Sequence, residues 1–224
     1  INLTILEQVV LNNNTPSFDE AIEVLRKKFD PTKLKTYINI QDNEGNTCLH
    51  YSAYRGNLHF TGILLSLGAD PNINSNQGLN VIHFAAQGDS PNMILYYKEK
   101  FGMSIYQNDY NGCIPLHWAC YTCSENSVNY LLSLMSDINY QNKEGQTAMH
   151  IAIHTERIRI IKKLLQKGCD LEIKNNEGKN AYVLAQELTG NSSKVSTVIL
   201  SQKYAKNCFY GGKGKHVNCC TSPL

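Results

Sequence analysis

The sequence predicts an all-α solenoid, because one pattern recurs along the chain at a nearly constant spacing. Four segments follow this pattern closely: GNTCLHYSA (45–53), GLNVIHFAA (78–86), GCIPLHWAC (112–120) and GQTAMHIAI (145–153). A weaker fifth copy, GKNAYVLAQ, occupies residues 178–186. The first glycines of successive copies are 33 or 34 residues apart. Self-similarity at such a period indicates stacked helical repeats that share one continuous core.

Each copy starts with turn-forming residues and continues into a short helix. The glycine suits a turn tip, where a positive φ is easy without a Cβ. The stretches TCLH (47–50), IPLH (114–117) and TAMH (147–150) then resemble the T-P-L-H motif of the ankyrin repeat. This resemblance implies an ankyrin-repeat solenoid in which every repeat is a β-turn followed by an antiparallel helix pair. We expect about five repeats and an N-terminal helical cap.

The repeat boundaries follow from the spacing. Residues 1–41 contain three short helical patterns, and the last of these helices is opened by Asp30 and Pro31. This segment is predicted to be a degenerate capping repeat, as terminal repeats usually are. The remaining segments are predicted to be repeats at 42–74, 75–108, 109–141, 142–174 and 175–204, followed by a Gly-, Lys- and Cys-rich tail at 205–224.

The apolar residues have different sizes in the two helices of a repeat. Small residues such as Ala53 and Ala85 in the first helices let neighbouring helices approach closely. The second helices carry larger adjacent pairs, which are expected to stack on the next repeat. These pairs are Ile63 and Leu64, Ile94 and Leu95, Leu131 and Leu132, Leu164 and Leu165, and Val198 and Ile199.

Composition excludes several classes of protein. The 224 residues have a formal net charge of +2 and 18% charged residues, which gives no sign of a nucleic-acid partner. No apolar run is long enough for a membrane span, and no signal peptide is evident. The first residue is Ile1, so we expect a part of a longer or processed protein. Eight cysteines without a disulfide framework favour a reducing, cytoplasmic setting.

Residues that could carry chemistry have simpler structural interpretations. The repeat histidines His50, His83, His117 and His150 are expected to hydrogen-bond within their own turns rather than bind metal. Cys120 and Cys123 form C-x-x-C without a second pair at zinc-site spacing. No Ser–His–Asp, paired-carboxylate or cofactor constellation is visible. We therefore expect no catalytic residue, metal site or cofactor in this chain.

Two basic stretches leave alternatives open. The tail residues Cys208, His216, Cys219 and Cys220 are types that bind zinc, but flexible or S-acylated cysteines fit better. GGKGK (211–215) lacks the full phosphate-loop pattern and fits a mobile basic tail. The run RIRIIKKLLQK (157–167) fits a solvated helix face, with a patch for anionic lipid or an acidic partner as the alternative.

A binding surface is the remaining candidate site. In the ankyrin-repeat family, partners usually bind the concave face, which is formed by the turn tips and the exposed ends of the first helices. By this resemblance the tip positions are Asn43, Glu44, Asn76, Gln77, Tyr110, Asn111, Lys143 and Glu144. The helix-end positions are Tyr54, Arg55, Gln87, Tyr121, Thr122 and His154. Tyr54, Tyr110 and Tyr121 are expected to be the main anchors for a protein or an extended peptide.

Two segments resemble a narrower family. IHFAAQGD (82–89) and NGCIPLHWACYTCSENSVNYLLS (111–133) look like the ankyrin domain of the ankyrin-repeat DHHC-type palmitoyltransferases. The resemblance implies a cytosolic domain that recruits substrates and regulators through extended peptides, ahead of transmembrane helices and a catalytic DHHC cysteine. It implies a groove lined by the row Tyr51, Phe84, Trp118 and Ile151, and a membrane tether through a C-terminal continuation. Open alternatives are a stand-alone scaffold or structural subunit, and the ankyrin domain of a channel or kinase.

Overall fold

The computed structural model describes residues 5–189 and 194–210, and this part of the chain confirms the predicted helical solenoid. Its thirteen helices are α1 (Ile5–Leu11), α2 (Thr15–Lys28), α3 (Pro31–Ile38), α4 (Cys48–Tyr54), α5 (Leu58–Ser66), α6 (Val81–Gln87), α7 (Pro91–Phe101), α8 (Pro115–Thr122), α9 (Glu125–Leu134), α10 (Ala148–His154), α11 (Ile158–Gln166), α12 (Ala181–Thr189) and α13 (Lys194–Tyr210).

The helices pack in two layers. The first helices of the repeats pack side by side in the order α1, α4, α6, α8, α10 and α12, which forms the inner layer. The second helices α7, α9, α11 and α13 pack in the same order and form the outer layer. Each pair contacts its neighbours in sequence, so the core runs along the length of the stack, as expected for a repeat protein.

Small residues set the spacing of the inner layer. Ala53, Ala85, Ala119 and Ala152 are all fully buried where neighbouring first helices meet. The approach is closest at Gly88, which ends α6. A Cβ atom on Gly88 would lie 1.8 Å from the carbonyl oxygen of Tyr54, so no side chain fits there. Compact residues at these positions bring the inner helices close together along one face.

Larger apolar residues fill the outer layer. Leu64, Ile94, Leu131, Leu164 and Ile199 are fully buried, and burial of each such side chain contributes about 1.5–3 kcal/mol. The other member of each predicted pair has a different environment, because consecutive residues project about 100° apart around a helix. Leu132 is also buried, whereas Leu95 is 46% exposed. The expectation that Leu95 stacks on the next repeat was therefore wrong.

The N-terminal segment, which was predicted to be a cap, contains α1, α2 and α3, and α2 contacts both of the other helices. Phe18 of α2 stacks on Phe60 of α5, with ring centroids 4.1 Å apart, which joins the cap to the first full repeat. The carboxylate of Asp30 accepts the backbone N–H groups of Thr32 and Lys33 and caps α3, as predicted. At the other end, α13 continues past residue 204 to Tyr210. The tail residues 211–224 lie outside the described part.

Candidate functional site

The loop tips of successive repeats lie side by side and form a ladder. At each step the backbone N–H of a tip residue donates to a tip carbonyl one repeat earlier. The pairs are Asn76 with Glu44 (2.8 Å), Tyr110 with Gln77 (3.0 Å), Lys143 with Asn111 (2.9 Å) and Asn176 with Glu144 (3.0 Å). All eight predicted tip residues are exposed. The ladder therefore brings them into one continuous row along an edge of the stack.

A polar residue at the base of each tip holds the loop in shape. In the third full repeat, Asp109 Oδ1 accepts the N–H groups of Asn111 at 2.9 Å and Cys113 at 2.8 Å. Gly112 between them has φ +77°, which favours glycine. The equivalent residues Asp42, Ser75, Asn142 and Asn175 accept in the same way. The tips are therefore preorganised.

The four repeat histidines are structural. Their Nδ1 atoms accept a backbone N–H from the residue three positions earlier, as in the 3.2 Å bond from Asn80 to His83. The proton therefore lies on Nε2, and His83 donates it to the carbonyl of Cys113 in the next repeat at 3.1 Å. Burial lowers the pKa of His50, His83 and His117 to about 4. The predicted bond within the turn is confirmed for all four histidines, and His83, His117 and His150 add a bond from Nε2 to the next repeat.

A row of larger side chains follows these histidines on the inner face. It comprises Tyr51, Phe84, Trp118 and Ile151. The Trp118 indole N–H donates to Asp109 Oδ2 at 3.0 Å, and the Tyr51 hydroxyl donates to Asp42 Oδ2 at 2.5 Å. Trp118 keeps part of its surface exposed and meets Tyr121 edge to face, with ring centroids 6.0 Å apart.

Two concavities flank Trp118 and together make the inner groove. The one of about 440 Å³ is lined by Tyr121, Ile151 and His154, among others. The other, of about 430 Å³, includes Phe84 and Leu11. The charged side chains that line the two are Glu144 and Glu44, respectively, and neither lining contains lysine or arginine. The inner groove is therefore aromatic at its centre, and Glu44 and Glu144 line it toward the tips, where exposed Lys143 adds a positive charge.

The predicted helix-end residues divide into two groups. Tyr54, Tyr121, Thr122 and His154 are exposed, and Tyr121 is 57% exposed. Gln87, in contrast, is half-buried.

Arg55 is exposed but has a structural contact as well. Its Nε donates to the carbonyl of Leu11 at 2.5 Å, which ties α1 to the first full repeat. Arg55 therefore contributes to the position of the cap, beyond the partner contact expected from the sequence.

Side-chain amides join neighbouring repeats in a way that the sequence interpretation missed. Gln41 donates to the carbonyl oxygens of Gly45 and Asn74, and Gln141 makes the equivalent bonds to Gly145 and Lys174. Asn76 and Asn176 donate in the same manner to Asn43 and Lys143. An amide recurs in phase with the repeat glycines, but this recurrence does not distinguish a bridging amide from one that faces solvent.

The described residues contain no cluster of three or more histidine, cysteine or acidic side chains that could bind a metal ion. Within them, no helix has both the length and the apolarity needed to cross a bilayer. Burial raises the pKa of the Cys120 thiol, which keeps this C-x-x-C cysteine protonated. The zinc-binding and S-acylation alternatives for the tail cysteines concern side chains that lie outside the described part of the structure.

Comparison with known proteins agrees with this architecture. A family model for ankyrin repeats (3 copies) matches residues 6–109 and 49–142, and a model for ankyrin repeats (many copies) matches 131–185. Palmitoyltransferase AKR1 of Lachancea kluyveri is 28% identical over 72% of this chain and 22% of its own length. Its Saccharomyces cerevisiae counterpart is 30% identical over 53% of this chain and 16% of its own length.

A human cation channel is similar at the same level. Transient receptor potential cation channel subfamily A member 1 is 28% identical over 73% of this chain and 16% of its own length. The chain thus spans between 16% and 22% of the length of these three relatives. The family models cover most of the stacked helix pairs, and the chain belongs to the ankyrin-repeat family as a protein-interaction domain.

Proposed function

We propose that the domain binds an extended peptide segment of a partner protein along the inner groove, with Trp118 at the centre of the contact. The observation that carries this proposal is the position of Trp118 between two concavities, held by Asp109 and flanked by Tyr121. Partly exposed aromatic residues with a polar atom are common anchors of protein interfaces.

The shape and charge of the inner groove indicate which peptides fit. An extended chain suits a long groove whose floor is a row of side chains one repeat apart. An apolar side chain of the peptide would pack on Trp118. Neutral or basic side chains would lie near Glu44 and Glu144, whereas an acidic peptide would meet like charges there.

A peptide-binding experiment tests this role. Peptides selected from a display library against the wild-type chain would be titrated against Tyr121→Ala and against Phe101→Ala. Tyr121 is exposed in the inner groove, whereas Phe101 is an exposed aromatic residue at the end of α7 in the outer layer. We expect Tyr121→Ala to weaken binding at least about tenfold and Phe101→Ala to leave it unchanged. Equal affinities for all three proteins would contradict binding in the inner groove.

We further propose that the parent protein is a membrane DHHC-type palmitoyltransferase and that this domain recruits its substrates or regulators on the cytosolic face. The similarity to two yeast palmitoyltransferases supports this proposal. Sequencing of the transcript beyond the codon for Leu224 tests it. We expect apolar runs of membrane-spanning length and a DHHC motif.

The second candidate is a scaffold or structural subunit without an enzyme. The channel relative has the same identity to this chain as the first palmitoyltransferase, so similarity at this level extends to proteins that are not palmitoyltransferases. A stop codon directly after Leu224 would favour this candidate and remove the enzyme. The peptide-binding role would stand in either case.

A further inference from the structure

Helix α11 and the two residues that flank it carry a concentration of positive charge that the inner groove does not use. Residues 157–167 contain five lysines and arginines and no acidic residue, in a chain whose formal net charge is +2. Arg157, Arg159, Lys162 and Lys167 are exposed. A helix rises about 1.5 Å per residue, so the charges extend over roughly 15 Å.

Neighbouring elements neutralise only part of this charge. Glu125 of α9 forms ion pairs with Arg159 and Lys163, both at 3.4 Å. Glu156 is exposed in the loop before α11, and α13 adds exposed Lys194. Among the described residues, no ion pair involves Arg157, Lys162 or Lys167. These three cations, which we call the outer basic patch, remain available to an external anion.

We propose that the outer basic patch binds the anionic headgroups of a phospholipid bilayer, so that the inner groove faces away from the membrane. Lys162 is exposed on α11, Arg157 and Lys167 are exposed at its two ends, and the concavities of the inner groove do not reach these three side chains. No side chain orients them toward a fixed ligand, which suits a diffuse layer of phosphate charge. Helix α11 also contains no aromatic residue on which a nucleobase could stack.

Vesicle sedimentation with the full 224-residue chain tests the proposal. The vesicles would contain phosphatidylcholine alone or phosphatidylcholine with about one third phosphatidylserine. The test variant is Arg157→Gln, Lys162→Gln, Lys167→Gln. The control variant, Arg26→Gln, Lys27→Gln, Lys28→Gln, removes the same charge from exposed positions at the end of α2.

The expected results separate this surface from other sources of binding. Each cation close to an anionic leaflet contributes about a fivefold factor in affinity, so the test variant should bind roughly 100-fold more weakly. The control variant should bind like the wild type, and salt should weaken both. Equal binding of the wild type and the test variant would overturn the proposal. So would binding of a soluble acidic peptide through the patch without binding to the vesicles.

Discussion

The indole nitrogen of Trp118 and Oδ2 of Asp109 are 3.0 Å apart and form a hydrogen bond across the inner face. The other oxygen of the same carboxylate accepts the backbone N–H groups of Asn111 and Cys113 in the loop tip. One acidic side chain therefore fixes both the tip and the aromatic residue at the centre of the inner groove.

The residue nine positions before each member of the row Tyr51, Phe84, Trp118 and Ile151 varies with the chemistry of that member. Tyr51 has a hydroxyl group to donate, and the residue nine positions before it is Asp42. Phe84 and Ile151 have no such donor, and the residues at that distance are Ser75 and Asn142. In these four repeats, an aspartate occupies this position where the row residue has an O–H or N–H group to donate.

The first prediction concerns this bond. Asp109→Asn keeps one carbonyl oxygen but places an amide donor against either the tip N–H groups or the indole N–H. We expect a loss of about 1–3 kcal/mol in the free energy of unfolding, because a buried donor is left unpaired. Urea denaturation followed by circular dichroism measures it.

The control is the double variant. Asp109→Asn should cost less in a Trp118→Phe background, because phenylalanine has no donor to lose. Additive losses for the two substitutions would show that Asp109 and Trp118 are not coupled.

The second prediction concerns contact between tips. Gly112 and Gly102 both have positive φ, at +77° and +65°. A Cβ on Gly112 would lie 2.9 Å from the backbone nitrogen of Lys143, whereas a Cβ on Gly102 has nothing within 4 Å. Alanine at either position costs about 1 kcal/mol for the backbone conformation. We expect Gly112→Ala to lower Tm further than Gly102→Ala, and equal shifts would argue against close packing of the tips.

The third prediction is a dependence of stability on pH. Burial lowers the pKa of His50, His83 and His117 to about 4, from about 6.5 in the unfolded chain. The unfolded state therefore binds more protons between these values, and stability falls as pH decreases from about 6.5 toward 4. Near pH 5 the loss is about 2 kcal/mol for each histidine.

Thermal unfolding between pH 7.5 and 4.5 measures this effect. The matched variant is His83→Gln, whose side chain can both accept and donate but does not titrate in this range. We expect a shallower fall of Tm with pH for the variant than for the wild type. Parallel curves would show that His83 does not contribute to acid sensitivity.

The fourth prediction concerns the contacts between repeats. Leu131 of α9 is fully buried, so Leu131→Asp would place an unpaired charge in the core. We expect a loss of several kcal/mol and unfolding of the adjacent repeats. Ser133→Asp, at an exposed position of the same helix, should change stability by less than about 0.5 kcal/mol. Hydrogen exchange resolved by segment would show the difference, and protection of α7 and α11 in Leu131→Asp would contradict it.

Much of this architecture could be predicted from the sequence, because each repeat specifies its own turn and helix pair. Gly45, Gly78 and their equivalents fix the period, and the exposed tips follow from it. The amide bridges from Gln41 and Asn76 were missed, since an amide can face solvent or bridge repeats with the same sequence signal. The contact of Arg55 with Leu11 was missed for a different reason. It joins Arg55 of the first full repeat to Leu11 in residues 1–41, where the repeat pattern gives no register.

The position of Leu95 shows that a sequence pattern alone does not determine which apolar residue of a pair is buried. A pair of apolar residues in the second helix predicts burial, but the helix rotation decides which member faces the neighbour. Ile94 occupies that position and leaves Leu95 on the surface. The two concavities of the inner groove are together lined by residues of α1 and of four successive repeats, and no single motif encodes this packing.

Fluorescence of Trp118 tests the role of the inner groove most directly, because it is the single tryptophan of the sequence. A peptide selected for binding would be titrated against the wild-type chain while emission and acrylamide quenching are recorded. We predict that saturation shifts the emission to shorter wavelength and protects the indole from quenching, in parallel with the heat of binding. An emission spectrum and a quenching constant that stay unchanged at saturation would show that the partner binds elsewhere.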